Sequence, residues 1–245
     1  MIEVQNANVY FNRGTSLELR VINNLDFRMR TGEWAMLIGS NGAGKSTLLN
    51  VLAGNVPLDD GIVKIDGDDV TNEPTHIRSA HVARVFQDPA LGTCADLSIE
   101  ENLALALDRG KRRGFGSAIH HQTRDMFRSL LRDLNLNLEN RLKEPMSSLS
   151  GGQRQAVGLI MATMRPAKLL LLDEHTAALD PQMTEVVMQL TERVVRQNKL
   201  TTIMITHNMR HASIYGDRCV VMHHGRIVKD LAGADRADAH SLIPD

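Results

Sequence analysis

The most informative stretch of this 245-residue chain for its fold is Gly39-Ser40-Asn41-Gly42-Ala43-Gly44-Lys45-Ser46-Thr47. From Gly39 to Ser46 it matches the pattern G-x-x-x-x-G-K-[ST], whose glycines let backbone N–H groups wrap a phosphate. The apolar, strand-length run 34–38 precedes it, and a helix-like segment begins at Thr47. This order predicts a phosphate-binding loop in which Lys45 reaches the β- and γ-phosphates of a nucleotide and the Ser46 hydroxyl ligates Mg²⁺.

A second predicted strand ends in two acidic residues. Residues 168–174 read Lys-Leu-Leu-Leu-Leu-Asp-Glu, and a strand that is apolar on both faces is typical of a parallel sheet covered by helices. Carboxylates at the C-terminal end of such a strand lie where open α/β sheets bind ligands. Asp173 is therefore a candidate for holding Mg²⁺ through a water, and Glu174, one residue on, is the candidate general base for an attacking water.

Between these two motifs lies the segment Leu149-Ser150-Gly151-Gly152-Gln153. By itself, Ser-Gly-Gly is typical of a flexible turn. A helical pattern runs from Gln153 to Met164, so the segment is predicted to form the N-terminus of a helix, where exposed N–H groups attract an anion.

The stretch between the phosphate loop and the acidic strand is mostly helical in its pattern. Ser98 begins one predicted helix as its N-cap. In a second, Met126, Leu130, Leu131 and Leu134 have the spacing of a stripe that faces the core. The stretch therefore predicts a helical insert.

The whole pattern predicts an α/β fold in a single domain, residues 1–245. Its parts are a P-loop NTPase core with a mixed, largely parallel sheet, an N-terminal antiparallel β subdomain and a helical insert subdomain. We place the catalytic core at about residues 1–87 and 165–245, and the helical subdomain at about residues 88–164.

Composition excludes several classes of protein. The formal net charge of −1 and the 3% aromatic content argue against a nucleic-acid partner, because such surfaces are basic and stack bases on aromatic rings. No apolar run approaches the roughly 20 residues that span a bilayer, and the N-terminus reads as a strand rather than a secretory signal. The basic run Arg109-Gly110-Lys111-Arg112-Arg113 is either a solvated loop or a contact with lipid head groups or a membrane partner.

Taken in this order, the three motifs resemble the ATP-binding cassette family of transport ATPases over nearly the whole chain. Further positions fit this resemblance: Gln87 is similar to the family's glutamine loop, His207 follows a β-branched run at the place of its switch histidine, and Asp180 matches its D-loop. The family stacks an aromatic side chain on adenine near the N-terminus, a role for Phe11 or, alternatively, for Tyr10.

The resemblance implies a mechanism that needs two copies of the chain. Two ATP molecules lie between head-to-tail copies, and the segment Ser150-Gly151-Gly152-Gln153 of one copy faces the Lys45 loop of the other. His207 then holds the γ-phosphate and the attacking water, and Asp180 helps to set the interface.

It also implies a membrane partner. Gln87 is expected to join Ser46 and Asp173 at Mg²⁺ and to report the γ-phosphate to the helical insert, which docks transmembrane permease subunits. The predicted location is therefore peripheral, at the cytoplasmic face of the inner or plasma membrane, and an extracytoplasmic substrate-binding protein is an indirect partner.

One position departs from the family pattern, because Glu174-His175-Thr176 stands where Glu-Pro-Thr is usual. This variant resembles a subgroup paired with bacterial uptake systems for amino acids. The predicted function is therefore the ATP-hydrolysing subunit of an importer of amino acids or similar small solutes. We also expect His175 to place a titratable ring near the γ-phosphate and to tune the pH response of hydrolysis.

Two other functions fit parts of the sequence. A soluble assembly ATPase of the same superfamily is not excluded by length. A small-molecule kinase shares the phosphate loop, but such an enzyme has no need of the Ser150 segment or of Glu174.

Overall fold

The computed structural model describes residues 1–110 and 119–233. Within these residues the strands are β1 (Ile2–Phe11), β2 (Leu19–Met29), β3 (Trp34–Gly39), β4 (Asp60–Ile65), β5 (Asp68–Asp69), β6 (Val82–Val85), β7 (Leu169–Asp173), β8 (Thr202–Ile205), β9 (Arg218–His223) and β10 (Arg226–Ala232). The α-helices are α1 (Lys45–Leu52), α2 (Thr75–Arg78), α3 (Ile99–Leu107), α4 (His121–Arg132), α5 (Gly151–Thr163), α6 (Pro181–Gln197) and α7 (Met209–Ile214).

Within the described residues, the central sheet has six strands in the order β10-β9-β3-β8-β7-β6. The strands from β9 to β6 are paired in parallel, and the pair β10–β9 is antiparallel. The predicted mixed, largely parallel sheet is therefore confirmed. Because β8 alone separates β3 from β7, the phosphate loop after β3 and the acids at the end of β7 lie along the same edge of the sheet.

This sheet is covered on both faces, which explains its continuous apolar strands. In β3, Trp34, Met36 and Ile38 belong to a hydrophobic cluster that includes the helical insert. The alternate residues Ala35 and Leu37 belong to a second cluster, shared with α1 and the N-terminal strands. Successive side chains of a strand point to opposite faces, so both faces of β3 are apolar because each is buried.

The N-terminal strands form a separate sheet in the order β2-β1-β4-β5. Each neighbouring pair in it is antiparallel, as predicted. One face of this sheet closes the second hydrophobic cluster over α1.

The helices α3, α4 and α5 lie between β6 and β7 in the chain. Ser98 caps α3 as predicted, and the side chain of Glu101 completes a reciprocal capping box. The predicted stripe on α4 is wrong at Met126, which is 38% exposed, whereas Phe127 and Leu131 are fully buried. The reason is geometric: α4 buries one narrow face, and neighbouring positions on a helix point about 100° apart.

Two sequence-based predictions relate to membranes. Most of the basic run lies outside the described residues, because the structure describes Arg109 and Gly110 but not residues 111–118. None of the helices in the described parts of the chain combines the length and apolar character of a bilayer span.

Candidate nucleotide-binding site

The glycine-rich loop connects β3 to α1. Gly44 stands at the N-cap of α1 with φ of 98°, and a Cβ added there would lie 2.8 Å from the carbonyl oxygen of Val21. Only glycine combines this backbone angle with so close an approach. Above the loop is a cleft of about 180 Å³, lined by Val21, residues 41–47 and Glu174.

Lys45 folds back along this loop. Its Nζ donates to the carbonyl oxygens of Gly39 at 2.8 Å and Ser40 at 2.9 Å. Burial lowers the pKa of Lys45 from the ordinary value for lysine, while the charges of Glu174 and Asp173 act in the opposite direction. The ammonium therefore lies among the loop carbonyls and within the electrostatic reach of both acids.

Glu174 and His207 meet at the ends of adjacent parallel strands. Asp173 of β7 is in register with Ile205 of β8, so the residues that follow both strands emerge side by side. The Nε2 atom of His207 lies 2.7 Å from Oε1 of Glu174. This places a carboxylate that lines the cleft in direct contact with an imidazole, a geometry that suits acid–base work on a bound water.

Asp173 makes an ion pair that the sequence analysis missed. Nη2 of Arg84 donates to its Oδ2 at 2.6 Å, and Nη1 of the same guanidinium donates to Oδ1 of Asn50 at 2.6 Å. Arg84 lies on β6, next to β7. A charged residue inside the otherwise apolar run 82–85 was the available signal.

Gln87 lies just beyond the end of β6 and is exposed. Because β6 pairs in parallel with β7, Gln87 lies on the same side of the sheet as Asp173 and Glu174. The carbonyl of its neighbour Phe86 accepts a hydrogen bond of 3.0 Å from the side chain of Gln155 on α5. The glutamine loop is thereby joined to the helix that begins at Ser150.

Ser150 is the N-cap of α5. Its hydroxyl accepts from the backbone N–H of Gln153 at 3.3 Å, and the Gln153 side chain accepts from the N–H of Ser150 at 3.2 Å. Ser150 and Gly151 are exposed and do not line the cleft above the phosphate loop. One chain therefore presents these two motifs as separate surfaces.

Gly152 and Asp180 each have a structural contact of their own. A Cβ added at Gly152 would come 1.9 Å from Cγ of Met183 on α6. Asp180 is the N-cap of α6, and its Oδ1 accepts from the N–H of Met183 at 3.0 Å. Both residues therefore fix the junction between α5 and α6.

The family model for the ABC transporter ATPase domain, described as "ABC transporter", matches residues 22–177 of the chain. The chain belongs to the ABC transporter family. The predicted family and fold class are thereby confirmed, and the protein is an ABC transporter ATPase.

Individual proteins that are similar to this ABC ATPase support the same family assignment. The tyrosine transport ATP-binding protein of Clostridioides difficile is 40% identical over 236 residues, which are 96% of this chain and 94% of the relative. A spermidine/putrescine import ATP-binding protein of Haemophilus influenzae is 33% identical over 86% of this chain, which spans only 53% of that longer relative. An ATP-binding cassette solved as a dimer with ADP and phosphate is 26% identical and superposes with a TM-score of 0.80 over 95% of this chain and 98% of its own.

The two aromatic candidates of this ABC ATPase differ in their surroundings. The ring of Tyr10 has the guanidinium of Arg13 at 5.0 Å and that of Arg20 at 5.5 Å from its centroid. Phe11, the last residue of β1, is 41% exposed. The Phe11 ring is thus the more accessible of the two to a ligand.

His175 does not behave as its place in the Glu-His-Thr variant of the family pattern suggested. It is 1% exposed, and its Nε2 lies 3.0 Å from the hydroxyl of Thr191 on α6. That hydroxyl donates to the carbonyl of Val187 at 2.7 Å, so it accepts from Nε2–H. Burial, together with the neighbouring charge of His211, lowers the pKa of His175 to about 3. The prediction of a titrating ring is therefore wrong, because the turn directs this side chain under α6.

Proposed function

We propose that this chain is the ATP-hydrolysing subunit of a bacterial ABC importer for amino acids or similar small solutes. The observation that carries the proposal is the meeting of Lys45, Glu174 and His207 at one edge of the central sheet. The tyrosine transport relative, which the chain matches over nearly its full length, supports the amino-acid class of cargo.

The cleft above the phosphate loop fits the triphosphate of ATP. The Lys45 ammonium and the N-terminus of α1 face it, and both favour anionic oxygens. Phe11 stacks on the adenine, because its ring is exposed whereas that of Tyr10 already has two guanidinium neighbours.

The donors at this edge also fit Mg²⁺. The ion is usually held by one or two carboxylates together with substrate phosphates, and the exposed Ser46 hydroxyl, the Asp173 carboxylate and the Gln87 amide offer oxygen ligands of this kind. When bound, Mg²⁺ neutralises charge on the phosphates.

Glu174 and His207 carry out the hydrolysis step. A water oxygen attacks the γ-phosphorus, the bond to the bridging β–γ oxygen breaks, and Glu174 accepts the proton that the water loses. His207, 2.7 Å from Glu174, holds the same water and the γ-phosphate. Lys45 stabilises the charge that develops on the phosphate oxygens.

A second copy completes the site. Ser150 and Gly151 are exposed at the N-terminus of α5, on a surface separate from the phosphate loop. The segment Ser150-Gly151-Gly152-Gln153 therefore binds the γ-phosphate held by a facing copy. Asp180 lies next to this junction and helps to set the interface.

The permease docks on the groove between the glutamine loop and the helical insert. This cleft of about 480 Å³ is lined by apolar side chains that include Phe86, Leu91 and Leu105, and Leu91 is 70% exposed. Gln87 lies beside this groove, so the glutamine loop transmits the loss of the γ-phosphate to the permease as a change at the docking surface. The ATPase is therefore peripheral, on the cytoplasmic face of the membrane, and a substrate-binding protein delivers cargo to the opposite side.

The Glu174→Gln variant tests the catalytic and dimeric parts of this proposal. It should bind ATP, hydrolyse it at least a hundredfold more slowly, and elute as a dimer when ATP is present. Adding Ser150→Arg should abolish the dimer but leave ATP binding intact. Ser129→Arg, at an exposed position on α4, is the matched control and should still dimerise. Normal hydrolysis by Glu174→Gln would refute the base, and a dimer of the Ser150→Arg protein would refute the shared site.

Co-purification tests the transport role. The chain, extracted from its native membranes, should bring a multi-span permease with it. An exclusively soluble complex would favour an assembly ATPase instead.

A further inference from the structure

Arg84 is a cation within a buried strand. Its neighbours Val82, Ala83 and Val85 are all buried. Through Nη2 it donates to Asp173 Oδ2, and through Nη1 to Asn50 Oδ1, each at 2.6 Å. One side chain thus connects β6, β7 and α1, the elements that surround the proposed metal position.

This ion pair is shielded from water. The side chains of Arg84 and Asp173 are 12% and 14% exposed, and the guanidinium lies 4.7 Å from the centroid of the Phe86 ring. Charges attract more strongly in such surroundings than at a surface. For the same reason, removal of one partner leaves the other charge desolvated and uncompensated.

Lys45 does not take the place of Arg84. Its Nζ is bound to the carbonyls of Gly39 and Ser40, and it influences Asp173 only through its charge. The direct contact with the carboxylate is made by Arg84, at a single oxygen, Oδ2.

We propose that Arg84 is a positioning residue that neutralises and orients Asp173, so that this carboxylate engages Mg²⁺ only when the ion arrives with nucleotide phosphates. The inference rests on the proposed function, in which Asp173 is a metal ligand. Mg²⁺ loses its bound waters reluctantly. A single carboxylate whose charge is already balanced by a guanidinium attracts the ion too weakly to replace those waters. The nucleotide phosphates would supply the missing negative charge, and Asp173 would help to hold the ion while its Oδ2 stays with Arg84.

Thermal unfolding of the full chain, without nucleotide, tests this idea. The wild-type Tm should be the same in EDTA and in millimolar Mg²⁺. Arg84→Gln should lower the Tm in EDTA by roughly 10 °C, because the Asp173 charge is left unpaired, and Mg²⁺ should restore part of that loss. The double variant Arg84→Gln/Asp173→Asn should recover stability in EDTA and should not respond to Mg²⁺.

A matched control separates charge compensation from general destabilisation. Arg124→Gln breaks the ion pair of 2.7 Å between Arg124 and Glu100 in the helical insert, and its Tm should not respond to Mg²⁺. An Arg84→Gln protein with unchanged Tm, or with equal loss in both buffers, would overturn the inference. If Arg84→Gln does not fold, Asp173→Asn should lower the Tm, and the double variant should regain it; absence of that recovery would also overturn the inference.

A binding measurement distinguishes the inference from the proposed function on which it rests. Calorimetry measures the ATP affinity of wild type and of Asp173→Asn with and without Mg²⁺. The ratio of the affinity with Mg²⁺ to the affinity without it should be at least tenfold smaller in Asp173→Asn than in wild type. Unchanged Mg²⁺ dependence would refute the metal role of Asp173 and the inference with it. If the Tm of the Arg84→Gln protein does not respond to Mg²⁺, only the role of Arg84 is refuted.

Discussion

Replacement of Gly152 by alanine should destabilise the protein even when no nucleotide is present. An added Cβ would lie 1.9 Å from Cγ and 3.3 Å from Cβ of Met183, so either the Met183 side chain leaves its rotamer or the first turn of α6 shifts. Overpacking of this kind costs up to about 3 kcal/mol, whereas alanine gains about 1 kcal/mol over glycine inside a helix. The net expectation is a loss of about 2 kcal/mol in the free energy of unfolding.

Urea unfolding followed by circular dichroism measures this loss. Gly158→Ala is the matched control, because Gly158 lies in the same helix and a Cβ there has nothing within 4 Å; it should stabilise the protein slightly. The double variant Gly152→Ala/Met183→Ala should recover most of the 2 kcal/mol or so, since truncation of Met183 makes room for the new methyl group. If the Gly152→Ala protein is as stable as the Gly158→Ala protein, the packing argument is refuted. Gly152 would then be needed for phosphate binding alone.

Substitutions at three further positions test single side chains. Lys45→Met should abolish ATP binding by calorimetry with an unchanged circular dichroism spectrum, because it removes the cation of the loop; retained affinity would contradict that role. The folded pKa of His175 is about 3, below the unfolded value of roughly 6.5, so the unfolded chain takes up the proton first. The stability that comes from burying neutral His175 is full above about pH 6.5 and falls by roughly 1 kcal/mol per pH unit as the pH drops toward 3. His175→Gln, which keeps a donor for Thr191, should reduce this acid dependence in urea unfolding at several pH values, and parallel curves would count against the burial argument. Asp180→Ala should cost about 1 kcal/mol through loss of the α6 cap and Asp180→Asn much less; equal losses in the unfolding free energy would disprove the capping role.

Much of the fold could be predicted because its signals are local. The glycine pattern before Lys45, the apolar run 169–172 and the Ser98 cap each depend on neighbours within a few residues, and local spacing reports them directly. Errors arose where orientation mattered, as at Met126 and His175, because the face that an element buries depends on what is packed against it.

The candidate site divides in the same way. The chemical groups and their order along the chain can be read from the residues alone: a loop cation at Lys45, two acids at 173 and 174, and a helix N-terminus at the Ser150 segment.

Which of these groups are in contact depends on the folded chain. The contacts of Arg84 with Asp173, His207 with Glu174 and Gly152 with Met183 join residues that lie dozens of positions apart. Sheet order and helix packing set these distances through the burial of two hydrophobic clusters, and no local pattern specifies which strands become neighbours.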